Sequence, residues 1–152
     1  MSLLPFQKKK EYFTAEQQQQ MVEAIQKAEK NTSGEVRIFV ESRCKYVDPV
    51  ERAKEIFFNL KMEQTRDRNA VLLYMAMDDH QLALFADEGI YQRLGAEFWS
   101  QEVRKIIAAF TKDDYTGGIC KVITDVGEAL QYHFPYESAD KNELPDEMIF
   151  GK

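Results

Sequence analysis

Ala70 to Met77 is eight apolar residues in a row, AVLLYMAM, and this run restricts what the chain can fold into more than any other stretch. It is bounded by Asn69 on one side and Asp78-Asp79-His80 on the other, and it has no polar face. A run that short, without a polar stripe, reads as a strand covered on both sides. Gln81 to Ala86 resumes an apolar run after a turn of two or three residues, so the two strands are expected to be antiparallel neighbours. A sheet buried on both faces needs helices above and below it.

The flanks supply them. Thr14 with Gln17 forms a capping box, and Met21, Val22, Ile25 and Ala28 keep helical spacing over about residues 14–31. Val36, Ile38 and Val40 then alternate with Arg37, Phe39 and Glu41, which predicts a strand over Glu35 to Ser42. Asp48-Pro49-Val50-Glu51 is a helix start: an acidic cap, then Pro at the first helical position. Ala53, Ile56, Phe57 and Leu60 form the buried stripe that follows. Strand, helix and strand in succession make a βαβ unit, so the first strand and the Ala70 strand should run parallel with a right-handed crossover. Beyond the hairpin, Gly89 and Gly95 bracket a short irregular or one-turn segment. Two further helical patterns cover about residues 95–110 and, capped by Asp113-Asp114, continue to about residue 133. Gly127 inside the last pattern costs about 1 kcal/mol against Ala, an amount that close packing on a neighbour would offset. The expected fold is therefore a three-layer α/β/α sandwich around a small mixed β-sheet. The division is an N-terminal lead-in at 1–13, one domain at 14–135 and a polar tail at 136–152, slightly apolar at Met148 to Phe150.

Charge and cysteine content exclude several functions. With 26 acidic and 20 basic residues the net charge is −6, and the one basic cluster, Lys8-Lys9-Lys10, reads as a solvated lead-in. Such a chain is a poor binder of a phosphate backbone, so no nucleic-acid role is expected. Cys44 and Cys120 lie far apart and neither belongs to a CxxC pair, which rules out a cysteine zinc framework. No apolar run approaches the ~18–20 residues of a membrane span, and no signal-peptide core follows the N-terminus, so the simplest expectation is a cytoplasmic protein. There is no GxGxxG and no Walker loop, and two histidines are too few for a His-rich metal site.

What chemistry remains is carboxylate chemistry. Ligands in open α/β sheets favour the edge at the carboxyl ends of parallel strands. Ser42, Arg43, Asp48, Asp78, Asp79 and His80 arrive there. Carboxylates with oxygen-rich neighbours suit a hard cation, Ca2+ or Mg2+, that holds or polarises a phosphate. The same residues also have architectural readings, Asp48 as a helix cap and Asp78-Asp79-His80 as turn residues. Asp87 is open in the same way. It is a carboxylate on the face of Ala83 and Phe85, paired with Arg66, Arg68 or Asn69, or else a metal ligand or catalytic acid.

The ordered set TSGEVRIFVES, DPVERAKEIFFNL, T-x-x-RNAVLLYMA, LALFADEGI, EFW and NELPDE resembles the TPM domain, in its short soluble bacterial branch, over about residues 12–150. That resemblance implies the same α/β/α fold. It also implies the acid-phosphatase activity and divalent-cation binding, calcium included, of some members. Asp87 in ADEGI matches the Asp-x-Gly-Ile of the short branch, and Asp48 matches the acidic residue that opens the helix after the first strand. Two functions follow as expectations. One is metal-assisted hydrolysis of a phosphomonoester, with Asp87 as catalytic residue or Asp48, Asp78, Asp79 and Asp87 as metal ligands. The other is a non-enzymatic adaptor that binds a partner protein.

Overall fold

The computed structural model describes residues 12–135 and 148–151. In chain order the elements are α1 (Ala15–Glu29), β1 (Glu35–Glu41), α2 (Pro49–Asn59), β2 (Ala70–Ala76), β3 (Gln81–Ala86), α3 (Glu88–Leu94), α4 (Ala96–Thr111), α5 (Tyr115–His133) and β4 (Met148–Phe150). The strands form one mixed sheet in the order β3-β2-β1-β4. β1 runs parallel to β2, with Glu35 opposite Ala70 and Glu41 opposite Ala76, and β3 returns antiparallel to β2.

β2 is the middle of the protein. All seven of its residues are buried, because each face of the sheet carries its own apolar layer. Val71, Leu73 and Met75 join Val36, Ile38 and Val40 beneath α1, α4 and α5. Leu72, Tyr74 and Ala76 point the other way and pack with Ala53, Ile56 and Phe57 of α2. The period-two alternation of a strand delivers both sets from one unbroken apolar run. The α/β/α sandwich is thus present.

The local signals explain the ends of the helices. Thr14 Oγ1 accepts from the Gln17 amide at 3.1 Å while Gln17 Oε1 accepts from the Thr14 amide at 2.8 Å, which is the expected capping box. Asp48 accepts from the Val50 amide at 2.9 Å with Pro49 as the first residue of α2. Asp114, of the expected Asp113-Asp114 pair, caps α5 through the Gly117 amide.

Four details differ from what the sequence predicts. Met77 leaves the strand, and the hairpin turn is four residues, Met77 to His80, closed by a His80 amide to Met77 carbonyl bond of 3.3 Å, with His80 at φ 53°. The segment between Gly89 and Gly95 is a seven-residue helix, α3, with Gly89 inside it. Met148–Phe150 adds a strand to the sheet, parallel to β1 at Ile38 to Val40, and Phe13 is a buried core residue although it falls within the expected lead-in. Lys8 to Lys10 and the NELPDE stretch lie outside the described residues.

α1 and α5 pack closely at Gly127, where a Cβ would fall 2.6 Å from both Cα and Cβ of Ala28. Backbone cannot move aside as a side-chain tip can, so the two helices would have to separate. Gly127→Ala is therefore expected to destabilise by about 1–3 kcal/mol in urea unfolding, against the ~1 kcal/mol of helix propensity that Ala brings. A stabilised variant would show that the helices do not meet there.

Candidate functional site

Because β1 and β2 are parallel, their carboxyl ends leave the sheet together. The ladder runs on past both strands: the Met77 amide donates to Glu41 O at 3.0 Å and the Asp78 amide to Ser42 O at 2.8 Å. The Tyr12 hydroxyl lies 3.0 Å from Asp78 Oδ1 and 2.8 Å from Ser42 Oγ. With a single proton, it donates to the carboxylate and accepts from the serine. Asp79 accepts the Cys44 amide at 2.7 Å and faces the exposed Arg43 guanidinium at 3.4 Å. Asp78, Asp79 and Ser42 thus lie at the edge the strand directions predict. Asp48 stands in the same β1–α2 loop but is exposed and occupied in capping α2. His80 is exposed and shares a hollow with Pro49.

Behind this edge lies a buried network. Arg52 grips Glu41 with both ends of its fork, Nε to Oε2 at 2.8 Å and Nη2 to Oε1 at 2.9 Å. The Tyr74 hydroxyl donates to the same carboxylate. Burial, and then the Glu41 carboxylate, push the Tyr74 phenol far above its ordinary range, so it stays a neutral donor. Hydrogen bonding to Glu41 likewise holds Arg52 more firmly protonated than usual. Arg52 also reaches Glu55, which accepts from Tyr46, so the network ties the β1–α2 loop at both ends. No periodicity links Glu41 to Arg52; only the strand-to-helix connection brings them together.

Asp87 belongs to the opposite edge. Its amide donates to Ala70 O at the start of β2, a strand's length from Asp78. Arg68 binds both of its oxygens, Nε to Oδ2 at 2.6 Å and Nη2 to Oδ1 at 2.8 Å. Oδ1 also accepts the Glu88 amide, which caps α3. The carboxylate is only 3% exposed, so these partners satisfy it almost entirely without water. Gly89 completes the corner. Its amide donates to Arg68 O at 2.8 Å, and a Cβ there would lie 2.1 Å from Asp67 O. Nearby, Asn69 Nδ2 donates to Ser33 Oγ, which donates to Asp67. The residues of RN and ADEGI therefore clamp the approach to β2 onto the start of α3.

Asp78 and Asp79 lie at the carboxyl-end edge with the loop that carries Asp48, whereas Asp87 lies at the opposite edge. Among the described residues no three His, Cys, Asp or Glu side chains are grouped so as to hold a metal ion. Cys44 and Cys120 are both free thiols.

Removing Arg68 as Arg68→Met strands a buried carboxylate, so it is expected to cost on the order of 2 kcal/mol in urea unfolding. Asp87→Asn should cost less, because the amide oxygen still caps α3 and Arg68 can turn to water. Equal stability of Arg68→Met and the unaltered chain would refute the clamp.

A family model described as the TPM domain matches residues 7–129. The solution structure of the BA42 protein from the psychrophilic bacterium Bizionia argentinensis is similar, with a TM-score of 0.85 and 36% identity, covering 95% of this chain and 99% of that one. The N-terminal domain of the cg2496 protein from Corynebacterium glutamicum shares the fold at a TM-score of 0.61 and 10% identity, covering 98% of this chain and 94% of that domain. Curated proteins provide no match. No helix among the described residues is long and apolar enough to cross a membrane. With the family model matching most of its length and BA42 aligned almost end to end, the chain belongs to the TPM domain family.

Proposed function

We propose that this TPM domain holds a divalent cation at Asp78 and Asp79 and uses it to engage a phosphate ester. The observation that carries the reading is the convergence of the two parallel strand ends. The Asp78 amide is bonded to Ser42 O and the Asp79 carboxylate to the Cys44 amide, so both residues are tied to the chain leaving β1 at this edge. Two carboxylates and a serine hydroxyl are too few for a closed all-protein cage. They fit a cation of the magnesium type, which keeps several waters and takes further oxygens from a substrate phosphate.

Such a cation, when bound, supplies charge neutralisation at phosphate oxygens and a more acidic water. The chain's own residues provide the rest. Tyr12 fixes the orientation of Asp78, and the cross-sheet bond to Ser42 fixes its backbone. Arg43, 78% exposed at its side chain, carries a positive charge that can leave Asp79 for an incoming phosphate. The Glu41–Arg52–Tyr74 network holds the loop beneath. Asp48 has a supporting role as the cap of α2, and Asp87 lies outside this site.

Magnesium titrated into the isotope-labelled chain should shift the amides of Ser42 to Cys44 and Asp78 to His80, and leave Asp87 in place. The double variant Asp78→Asn, Asp79→Asn should lose those shifts and at least about tenfold of any magnesium-dependent hydrolysis of p-nitrophenyl phosphate, since even the loss of a partner that only orients a metal ligand costs about 10–100-fold. Shifts spread over the acidic surface, or hydrolysis unchanged in the double variant, would refute the site.

A further inference from the structure

Among the described residues β3 is an edge strand, and it lacks the usual protection of one. Gln81 to Ala86 carries neither a charge nor a proline. The Asp87 amide bonds to Ala70 O directly across the ladder, so hydrogen-bonded pairs recur at Phe85 and Ala83. The backbone groups of Leu82, Leu84 and Ala86 therefore point out of the sheet. Two hollows adjoin this edge. One of about 510 Å³ meets Gln81 and Leu82 and is walled by Ile107 and Phe110 of α4. The other, about 460 Å³, meets Leu84 to Ala86 and is walled by Val50, Trp99 and Val103.

The lining is chemically selective. In a chain of net charge −6 neither hollow is lined by a carboxylate, and the one permanent charge is Arg104, which makes no ion pair among the described residues. Two buried polar atoms on these walls also have no hydrogen-bond partner among the described residues, the Trp99 indole N–H and Gln81 Oε1. Trp99 is 95% buried, so its donor cannot be satisfied by bulk water as exposed groups are. A row of outward amides and carbonyls, two apolar hollows and one unpaired cation describe the complement of an extended peptide.

We propose that the β3 edge docks an extended segment of a partner protein, which adds a strand to the sheet, places apolar side chains in the two hollows and sets a carboxylate against Arg104. The backbone ladder supplies affinity and the hollows select alternate side chains. Arg104, which is exposed, selects the acidic residue. A second copy of the chain fits less well, because its β3, Gln81 to Ala86, carries no carboxylate to set against Arg104. This inference uses neither Asp78 nor Asp79, which lie within the hairpin turn and line neither hollow.

The test pans a phage-displayed library of random eight-residue peptides against the full chain and then titrates one enriched synthetic peptide into the isotope-labelled protein. Enriched peptides should alternate apolar residues and carry Asp or Glu towards one end. The titration should shift the amides of Leu82, Leu84 and Ala86 and the Trp99 indole. Arg104→Glu, at an exposed position, should weaken that peptide at least tenfold and enrich Lys or Arg in its place when the panning is repeated. No enrichment, or shifts that avoid the β3 edge, would overturn the proposal. So would a concentration-dependent dimer that perturbs the same amides in the absence of peptide, which would assign the edge to a second copy.

Discussion

Burial of β2 on both faces is the constraint from which the rest follows. A strand whose seven residues are all inaccessible must be paired on both sides and roofed on both faces. β1 and β3 supply the pairing, α2 roofs one face, and α1, α4 and α5 roof the other. Hydrophobic burial worth roughly 25 cal/mol per Å² gives this arrangement its stability. The polar residues then settle how the layers are held at the two ends of the sheet.

Those two ends are used differently. At the amino end of β2, Arg68, Asp87 and Gly89 fasten a strand to a helix, and every oxygen of the buried carboxylate has a partner. A group so fully engaged is poorly placed to bind anything else. At the carboxyl end, Asp78 and Asp79 are half-buried, with an exposed arginine beside Asp79. Burial and satisfied bonding mark the first as architecture. Partial exposure keeps the second within reach of solvent, which is why the proposed chemistry is placed there.

Much of the layout was legible because its signals are local. The apolar run, the Thr14–Gln17 box and Asp48-Pro49 each depend on a few adjacent residues and reappear as β2, α1 and α2. What escaped depends on long-range placement or on single positions. Met77 is apolar yet sits in the turn, and the resulting four-residue connection sets the register that puts Asp87 opposite Ala70 and within reach of Arg68. A strand as short as β4 has no periodicity to detect, and its partner β1 is more than a hundred residues earlier. Tyr12 reaches Asp78 across 66 positions, so the hydroxyl that orients the edge carboxylate has no sequence signature. Asp87 was an open choice between paired carboxylate and site residue; the geometry gives it two guanidinium bonds and a helix amide.

The most direct test of this arrangement is native-state hydrogen exchange resolved by residue. The amides of β2 should exchange slowest, at the rate of global unfolding. Along β3 the outward amides of Leu82, Leu84 and Ala86 should exchange orders of magnitude faster than the inward amides of Ala83 and Phe85. Rapid exchange throughout Ala70 to Ala76, or equal protection of both sets along β3, would contradict a doubly buried central strand beside an open edge.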